Sequence, residues 1–244
     1  MLEVINAEKK YYSEPVLKGI SVTFQEGEIV GLIGENGAGK TTLMKSIFGF
    51  QKLDQGKVLL DGRKITSKEI GELSFATSEH SFFGNFTPME HKEFYQIQFP
   101  KFNEKRFELL MDFFDLPRNR RVRGFSTGQK NQFEVILSLS QGARYIFMDE
   151  PFAGNDIFNR EDFYKVLLGI MEPWESLIIS THLIEEVKNL VGRVVLMHKG
   201  RILSDITVDE LQENHISLMD YIKEQYSYQS DRIIKAITKH NGNN

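Results

Sequence analysis

The chain has 244 residues, 41% of them hydrophobic, with a formal net charge of −4 and no cysteine. That size supports one sizeable core with a subdomain, the charge balance gives no basic field for bulk nucleic-acid binding, and the missing cysteine excludes a disulfide framework and thiol chemistry. The opening MLEVINAEKK does not read as a signal peptide, and no run approaches the ~18 apolar residues of a membrane span, so a membrane role is expected to need another chain.

From about residue 2 to 33, apolar and polar residues alternate through Val16, Ile20, Val22 and Phe24 into EIVGLIG, as strands do. From Gly39 the spacing turns helical, with Leu43, Ile47 and Phe48 on one side and Gly49 as a stop. Strand-like KVLLDG (57–62) and LSF (73–75) follow, then a Phe-rich segment from Phe82 to Phe114. Within it, Met89 to Gln98 and Asn103 to Phe114 are expected as helices, the second with an apolar stripe of Leu109, Leu110, Phe113 and Phe114. A third helix is expected from about Thr127 to Leu139, which makes residues 79–142 a helical insert. Strand and helix then alternate: YIFMDE, a helix over 158–171, SLIIST, a helix over 183–190 and RVVLM. This order predicts a mostly parallel sheet covered by helices. The main domain is expected to run over 1–208, and a helical tail over 209–244 ends in polar KHNGNN, which is expected to fray.

Gly34-Glu-Asn-Gly-Ala-Gly-Lys-Thr-Thr fits the phosphate-loop pattern G-x-x-x-x-G-K-[ST] between a strand and a helix. Backbone N–H groups from Gly34 through Asn36, Gly37, Ala38, Gly39 and Thr42 are candidates to turn inward around a phosphate, helped by the helix dipole. Lys40 adds a full positive charge, and the Thr41 hydroxyl is a candidate ligand of Mg²⁺ bridging two phosphates. Tyr145-Ile-Phe-Met ends in Asp149 and Glu150, which a parallel sheet would present at its carboxyl edge. There Asp149 is a candidate for the Mg²⁺ shell and Glu150 for orienting and deprotonating an attacking water.

Between these motifs stands Phe125-Ser126-Thr127-Gly128-Gln129, and after them Ser180-Thr181-His182. With this ordered set, residues 2 to 206 resemble the ATP-binding-cassette (ABC) ATPase family. The resemblance implies a P-loop NTPase α/β core with a mostly parallel sheet, an antiparallel β subdomain and the helical insert. It implies ATP and Mg²⁺ as ligands and two such domains, identical or different, pairing head to tail, so that one chain's phosphate loop and the other's Ser126, Gly128 and Gln129 share each ATP. Ser126 is also a good N-cap, so a merely capped helix would look similar. Thr127 adds a side chain where the family usually has glycine. The resemblance further assigns His182 to the γ-phosphate and attacking water, Tyr11 to stacking on adenine with Tyr12 as neighbouring candidate, and Asp156 of Gly154-Asn155-Asp156-Ile157 to the dimer interface.

Where the family has a glutamine between core and insert, this chain has Ser78, a shorter candidate for the metal site that would act through water, with Glu79 and His80 as possible substitutes. Phe82, Phe83 and Phe86 follow, either as a groove for a membrane permease docking near Ser78–Phe86 or as the insert's own core. The run Arg118, Arg120, Arg121 and Arg123 reads as a solvated loop or as a field drawing ATP to the signature. The implied function is the ATP-hydrolysing subunit of a membrane transporter, an exporter of peptides or drugs, cytoplasmic and held on the inner face of the membrane through its permease. The alternatives are a non-transport ABC ATPase and a nucleotide-binding regulator without turnover.

Overall fold

The computed structural model describes residues 1–77, 79–151 and 160–226. Their strands form two sheets. β1 (Leu2–Tyr11) pairs antiparallel with β2 (Glu14–Phe24) and β4 (Gln55–Leu60), and the short β5 (Arg63–Lys64) completes the order β2-β1-β4-β5. Alternation decides what this sheet buries: Leu2, Val4 and Ala7 face inward on β1, opposed by Phe24, Val22 and Ile20 of β2.

The second sheet runs β10-β9-β3-β8-β7-β6, from β3 (Ile29–Gly34), β6 (Leu73–Ala76), β7 (Tyr145–Asp149), β8 (Ser176–Thr181), β9 (Arg193–His198) and β10 (Arg201–Thr207). All pairs are parallel except β10 with β9. β7 and β8 are buried along their whole length, which explains their unbroken apolar runs. Register matters most for function. Ile33 pairs with Thr181 and Asp149 with Ser180, so β3, β7 and β8 end on one sheet edge. α1 (Lys40–Ile47) lies between the sheets, where Leu43 and Met44 pack with Phe24, Tyr145 and Phe147.

The insert is built from three capped helices. Thr87 and Glu90 form a capping box on α2 (Pro88–Gln98), Asn103 caps α3 (Glu104–Phe113), and Ser126 with Gln129 forms a second box on α4 (Thr127–Ser140). The expected stripe on α3 is only half right. Phe107, Leu110 and Met111 are buried and Phe114 packs beside them, whereas Leu109 and Phe113 are exposed, because the i, i+3, i+4, i+7 face toward the core starts at Phe107. α5 (Arg160–Ile170), α6 (Val208–Glu213) and α7 (Leu218–Gln225) complete the helices.

A second expectation fails at 183–190, where only one 3₁₀ turn, Ile184–Glu186, forms. Ile184, Val187, Leu190 and Val191 do bury an apolar face. The chain beyond the 3₁₀ segment continues in turns without becoming a regular helix, with the Lys188 N–H on Ile184 O at 3.0 Å and the Val191 N–H on Val187 O at 3.1 Å, until the Gly192 N–H bonds Ile29 O as the chain enters β9.

Arg106 of α3 crosses the core boundary to Glu175 at 2.8 Å, with both side chains buried. The same guanidinium donates to Leu139 O at 2.8 Å and to Ile170 O, tying α3 to α4 and α5. Glu175→Ala leaves a buried cation without its counter-charge and is expected to lower unfolding free energy by about 3–5 kcal/mol in urea titration. Asp162→Ala, which removes the exposed pair with Lys165, is expected to change it by less than about 1 kcal/mol.

His91 of α2 is fully buried among Phe82, Phe86 and Phe133. Its Nδ1–H donates to Thr87 O at 2.8 Å, and its Nε2 accepts from the Phe83 N–H at 2.9 Å. Burial holds its pKa below the ordinary 6.5. The unfolded chain therefore takes up this proton first, so the stability His91 confers is present above pH 6.5 and is lost as pH falls through the depressed value. Between about pH 7.5 and pH 5 the urea midpoint of wild type is expected to fall further than that of His91→Gln.

Candidate functional site

The phosphate loop leaves β3 at Gly34, whose backbone crowds β9: a Cβ there would stand 2.6 Å from Met197 O. Gly37 at φ +82° and Gly39 at φ +105° turn the chain into α1, and the Gly200 N–H of the β9–β10 turn braces the loop at Ala38 O, 3.0 Å. α1 has no side-chain cap and no acidic residue in its first turn, so the N–H groups around Gly39 to Thr42 stay open to an anion. Asn36 and Thr41 are exposed and Thr42 is half-buried, while Lys40 is 6% exposed. The Lys40 ammonium donates to Gly34 O at 2.7 Å and to Glu35 O at 3.4 Å, and lies 3.6 Å from Glu150 Oε1.

Across the sheet edge, the Thr41 hydroxyl donates to Asp149 Oδ2 at 2.6 Å and the Ser180 hydroxyl donates to Oδ1. Glu150 follows in a left-handed conformation, φ +47°, with its N–H bonded to Ser180 O at 3.0 Å, a rare geometry for a non-glycine residue that fixes where its side chain starts. Its Oε1 lies 2.9 Å from Nδ1 of the half-exposed His182. Thus Lys40, Thr41, Asp149, Glu150 and His182, drawn from two strand ends and one helix, form one contact chain. Ser180 was missed as a participant; its only signal was its place at a strand end before His182.

Glycines where backbone must approach, an open helix end and a buried lysine fit a polyphosphate. No group of three or more His, Cys, Asp or Glu able to hold a metal occurs among the described residues. Thr41 and Asp149 therefore offer two oxygens only, which fits Mg²⁺ that takes its other ligands from water and phosphate.

The remaining candidates lie apart. Leu17 and Val16 pack against Gly39, which sets the β1–β2 hairpin beside the loop. Tyr11 closes β1 half-exposed with Lys9 Nζ 5.7 Å from its ring centroid, and Tyr12 is fully exposed. Ser126 and Gln129 are engaged with each other: the Ser126 N–H donates to Gln129 Oε1 at 3.0 Å, and Ser126 Oγ accepts from the Gln129 N–H at 3.2 Å. They and the half-buried Gly128 share no hydrogen bond with the phosphate loop of this chain among the described residues. Glu79 pairs with Lys45 of α1 at 2.6 Å. Ser78, Asp156 and the neighbouring Gly154, Asn155 and Ile157 lie outside the described residues. The arginine run is partly neutralised: Arg118 bridges Glu108 and Asp112, Arg120 donates to Gly124 O, and Arg123 donates to Asn85 Oδ1 at 3.1 Å.

A strand–glycine loop–helix facing an Asp-Glu strand end across a parallel sheet defines a P-loop ATPase core. The family profile described as ABC transporter matches residues 17–153. The chain belongs to this family and is an ABC-class ATPase, the ATP-binding subunit type. It is 29% identical over 234 residues to the ABC transporter ATP-binding protein YtrB of Bacillus subtilis (strain 168), covering 95% of this chain and 78% of that protein. It is 27% identical to the lipopolysaccharide export system ATP-binding protein LptB of Haemophilus influenzae, covering 93% and 98%. It is 28% identical to the ribose import ATP-binding protein RbsA of Clostridium perfringens (strain SM101 / Type A), covering 93% of this chain but about half, 49%, of that protein. Among solved structures, an ATP-binding subunit of an ABC transporter superposes with a TM-score of 0.79 at 23% identity, covering 93% and 98% of the two chains. A dimeric ATP-binding cassette in a post-hydrolysis state with ADP and Pi superposes with 0.73 at 20% identity, covering 85% and 99%.

Gly34→Ala drives a methyl into the Met197 carbonyl and is expected to cost about 1–3 kcal/mol. Gly37→Ala meets nothing within 4 Å and bears only the left-handed backbone cost, about 1 kcal/mol. Urea midpoints of the two variants check the order.

Proposed function

We propose that this chain is the ATP-hydrolysing subunit of a membrane transporter, working as one half of a cassette pair. The contact chain from Thr41 through Asp149 and Glu150 to His182 carries this reading. Gly34, Asn36 and the N–H groups from Gly37 to Thr42 would bind the phosphates, with Lys40 giving up its loop carbonyls to neutralise them. Thr41 and Asp149 would hold Mg²⁺, with Ser78 as an outer candidate, and the ion would neutralise charge on the β- and γ-phosphates. Glu150 would take the proton of the attacking water, and His182, already on Glu150 Oε1, would orient that carboxylate and the water. Tyr11 would stack on adenine. Ser126, Gly128 and Gln129 of a second cassette, identical or homologous, would close on the γ-phosphate, and Asp156 would span the pair.

The capping box occupies the Ser126 and Gln129 N–H groups with each other's side chains, so the Thr127 and Gly128 N–H groups are the ones at this helix end left for a γ-phosphate, and the Ser126 and Gln129 side chains would turn out of the box to reach it. A permease docking near Ser78–Phe86 is supported by the exposed aromatics: the tilted Phe83 and Phe86 rings lie 5.1 Å apart and Phe94 meets Phe83 edge-on at 5.3 Å, while Phe82 is partly buried in the insert core. No helix among the described residues is long and apolar enough to cross a membrane, so attachment to the inner face of the membrane would run through that permease. Export is our reading of the direction from the insert's likeness to exporter inserts, and the relatives include both an export protein, LptB, and an import protein, RbsA. Peptides or drugs as cargo rest on the likeness of the insert alone.

Glu150→Gln is expected to lower kcat by about 10²–10⁴-fold while retaining ATP binding. Wild-type turnover in that variant would remove Glu150 from the role of base. Phe83→Asp is expected to abolish recovery of the tagged chain with an integral membrane protein and to leave basal ATPase activity intact. Recovery of wild type with cytosolic proteins alone would sink the transporter reading.

A further inference from the structure

Glu134 lies on α4, eight residues beyond Ser126, about 12 Å along the helix. It is 3% exposed and forms no ion pair among the described residues. A carboxylate buried without a cation is costly, and an apolar residue would fill the position without that cost. Burial pushes its pKa up to about 7. What the side chain does is specific. Oε1 accepts from the Ser81 hydroxyl at 2.6 Å and from the Ser81 N–H at 3.1 Å, and Oε2 is 3.0 Å from the same N–H. Thr77 follows β6 and lines the same small cavity as Glu134, and Ser81 leads to the exposed aromatics, so the side chain grips the insert end of the passage and stands beside its sheet end. On its other side Glu134 lines a small cavity shared with Asn131, Asp149 and Glu150.

We propose that Glu134 is a positioning residue for ATP turnover, which locks the junction at Ser81 to the signature helix so that displacement at the signature end moves the junction, and with it the cavity wall shared with Asp149 and Glu150. The proposal rests on the reading of this site as the ATP-hydrolysing centre. It needs no contact with nucleotide, since the rigid rod of α4 carries the displacement. It supplies a coupling element on a side where Ser78 is shorter than the family's glutamine.

The test is steady-state ATPase kinetics of the full chain, with amide exchange at Ser81, Phe82 and Phe83 measured in parallel. Glu134→Ala is expected to lower kcat roughly five- to twentyfold with KM within about twofold, and to speed exchange at those three amides. Glu134→Gln keeps an Oε1 able to accept from both Ser81 groups and is expected to restore kcat to within about threefold of wild type. Ile136→Ala, buried on the same helix, controls for lost stability and is expected to keep kcat when assayed below its melting transition. Equal kcat in Glu134→Ala and Ile136→Ala, or an effect on KM alone, overturns the proposal. Should Glu134→Ala not fold, Ser81→Ala decides: a kcat drop of about threefold supports the clasp, and unchanged kcat overturns it. A wild-type chain without turnover would instead sink the functional reading above, while the exchange rates would still report whether Glu134 holds the junction.

Discussion

Everything at the sheet edge depends on the Asp149 carboxylate held between two hydroxyls. It is 6% exposed, at the end of a fully buried strand, and an ionised carboxylate there needs donors on both oxygens. Ser180 supplies one from the neighbouring strand and Thr41 the other from the first turn of α1. The Thr41 contact therefore joins the helix that presents the phosphate loop to the strand that presents the acids. The parallel register of β3, β8 and β7 makes this possible, because it brings three chain segments distant in sequence to one level. Glu150 is then aimed by its left-handed backbone and its bond to Ser180 O, and His182 meets it from the end of β8.

Much of this was legible in the sequence because it is written in local chemistry. The loop residues announce themselves by glycines at positions where a side chain would collide or the backbone must turn left-handed. The insert helices announce themselves by their caps: Thr87 with Glu90, Asn103, and Ser126 with Gln129. Where neighbours in space decide, local reading fails. Ile184, Val187 and Leu190 have the spacing of a helical face and are buried like one, yet the segment forms one 3₁₀ turn and further isolated turns rather than a regular helix. β10 escaped notice because it is an edge strand with no fully buried residue, entered through the left-handed pair Lys199 and Gly200. On α3, Leu109 and Phe113 look like core residues and are not, since hydrophobicity alone does not say which of two adjacent stripes faces inward.

The aromatic segment after β6 shows two expectations coexisting. Phe82 belongs to the core and Phe83 and Phe86 to the surface, and His91 holds them apart by bonding the Phe83 N–H from beneath. A flat array of exposed rings would otherwise collapse inward. The buried imidazole gives the backbone a fixed partner and leaves the rings outside, a patch supported from within the insert and continuous with its core.

Glu134 and His91 solve related problems on opposite sides of Ser81. Thr77 and residues 79–87 have little regular structure, so their buried N–H groups lack ladder partners, and leaving one unpaired costs about 1–3 kcal/mol. Backbone carbonyls of a sheet could satisfy them only by fixing the segment in that sheet. A side chain from a helix of the insert satisfies them without joining the segment to the sheet. The carboxylate on α4 and the imidazole on α2 thus leave the junction attached to the insert at Ser81 and Phe83 while β6 stays paired in the sheet through Ala76. A shift of the insert is then transmitted through the hydrogen bonds at Ser81 and Phe83 to the end of β6, one strand away from Asp149, without any strand leaving its register.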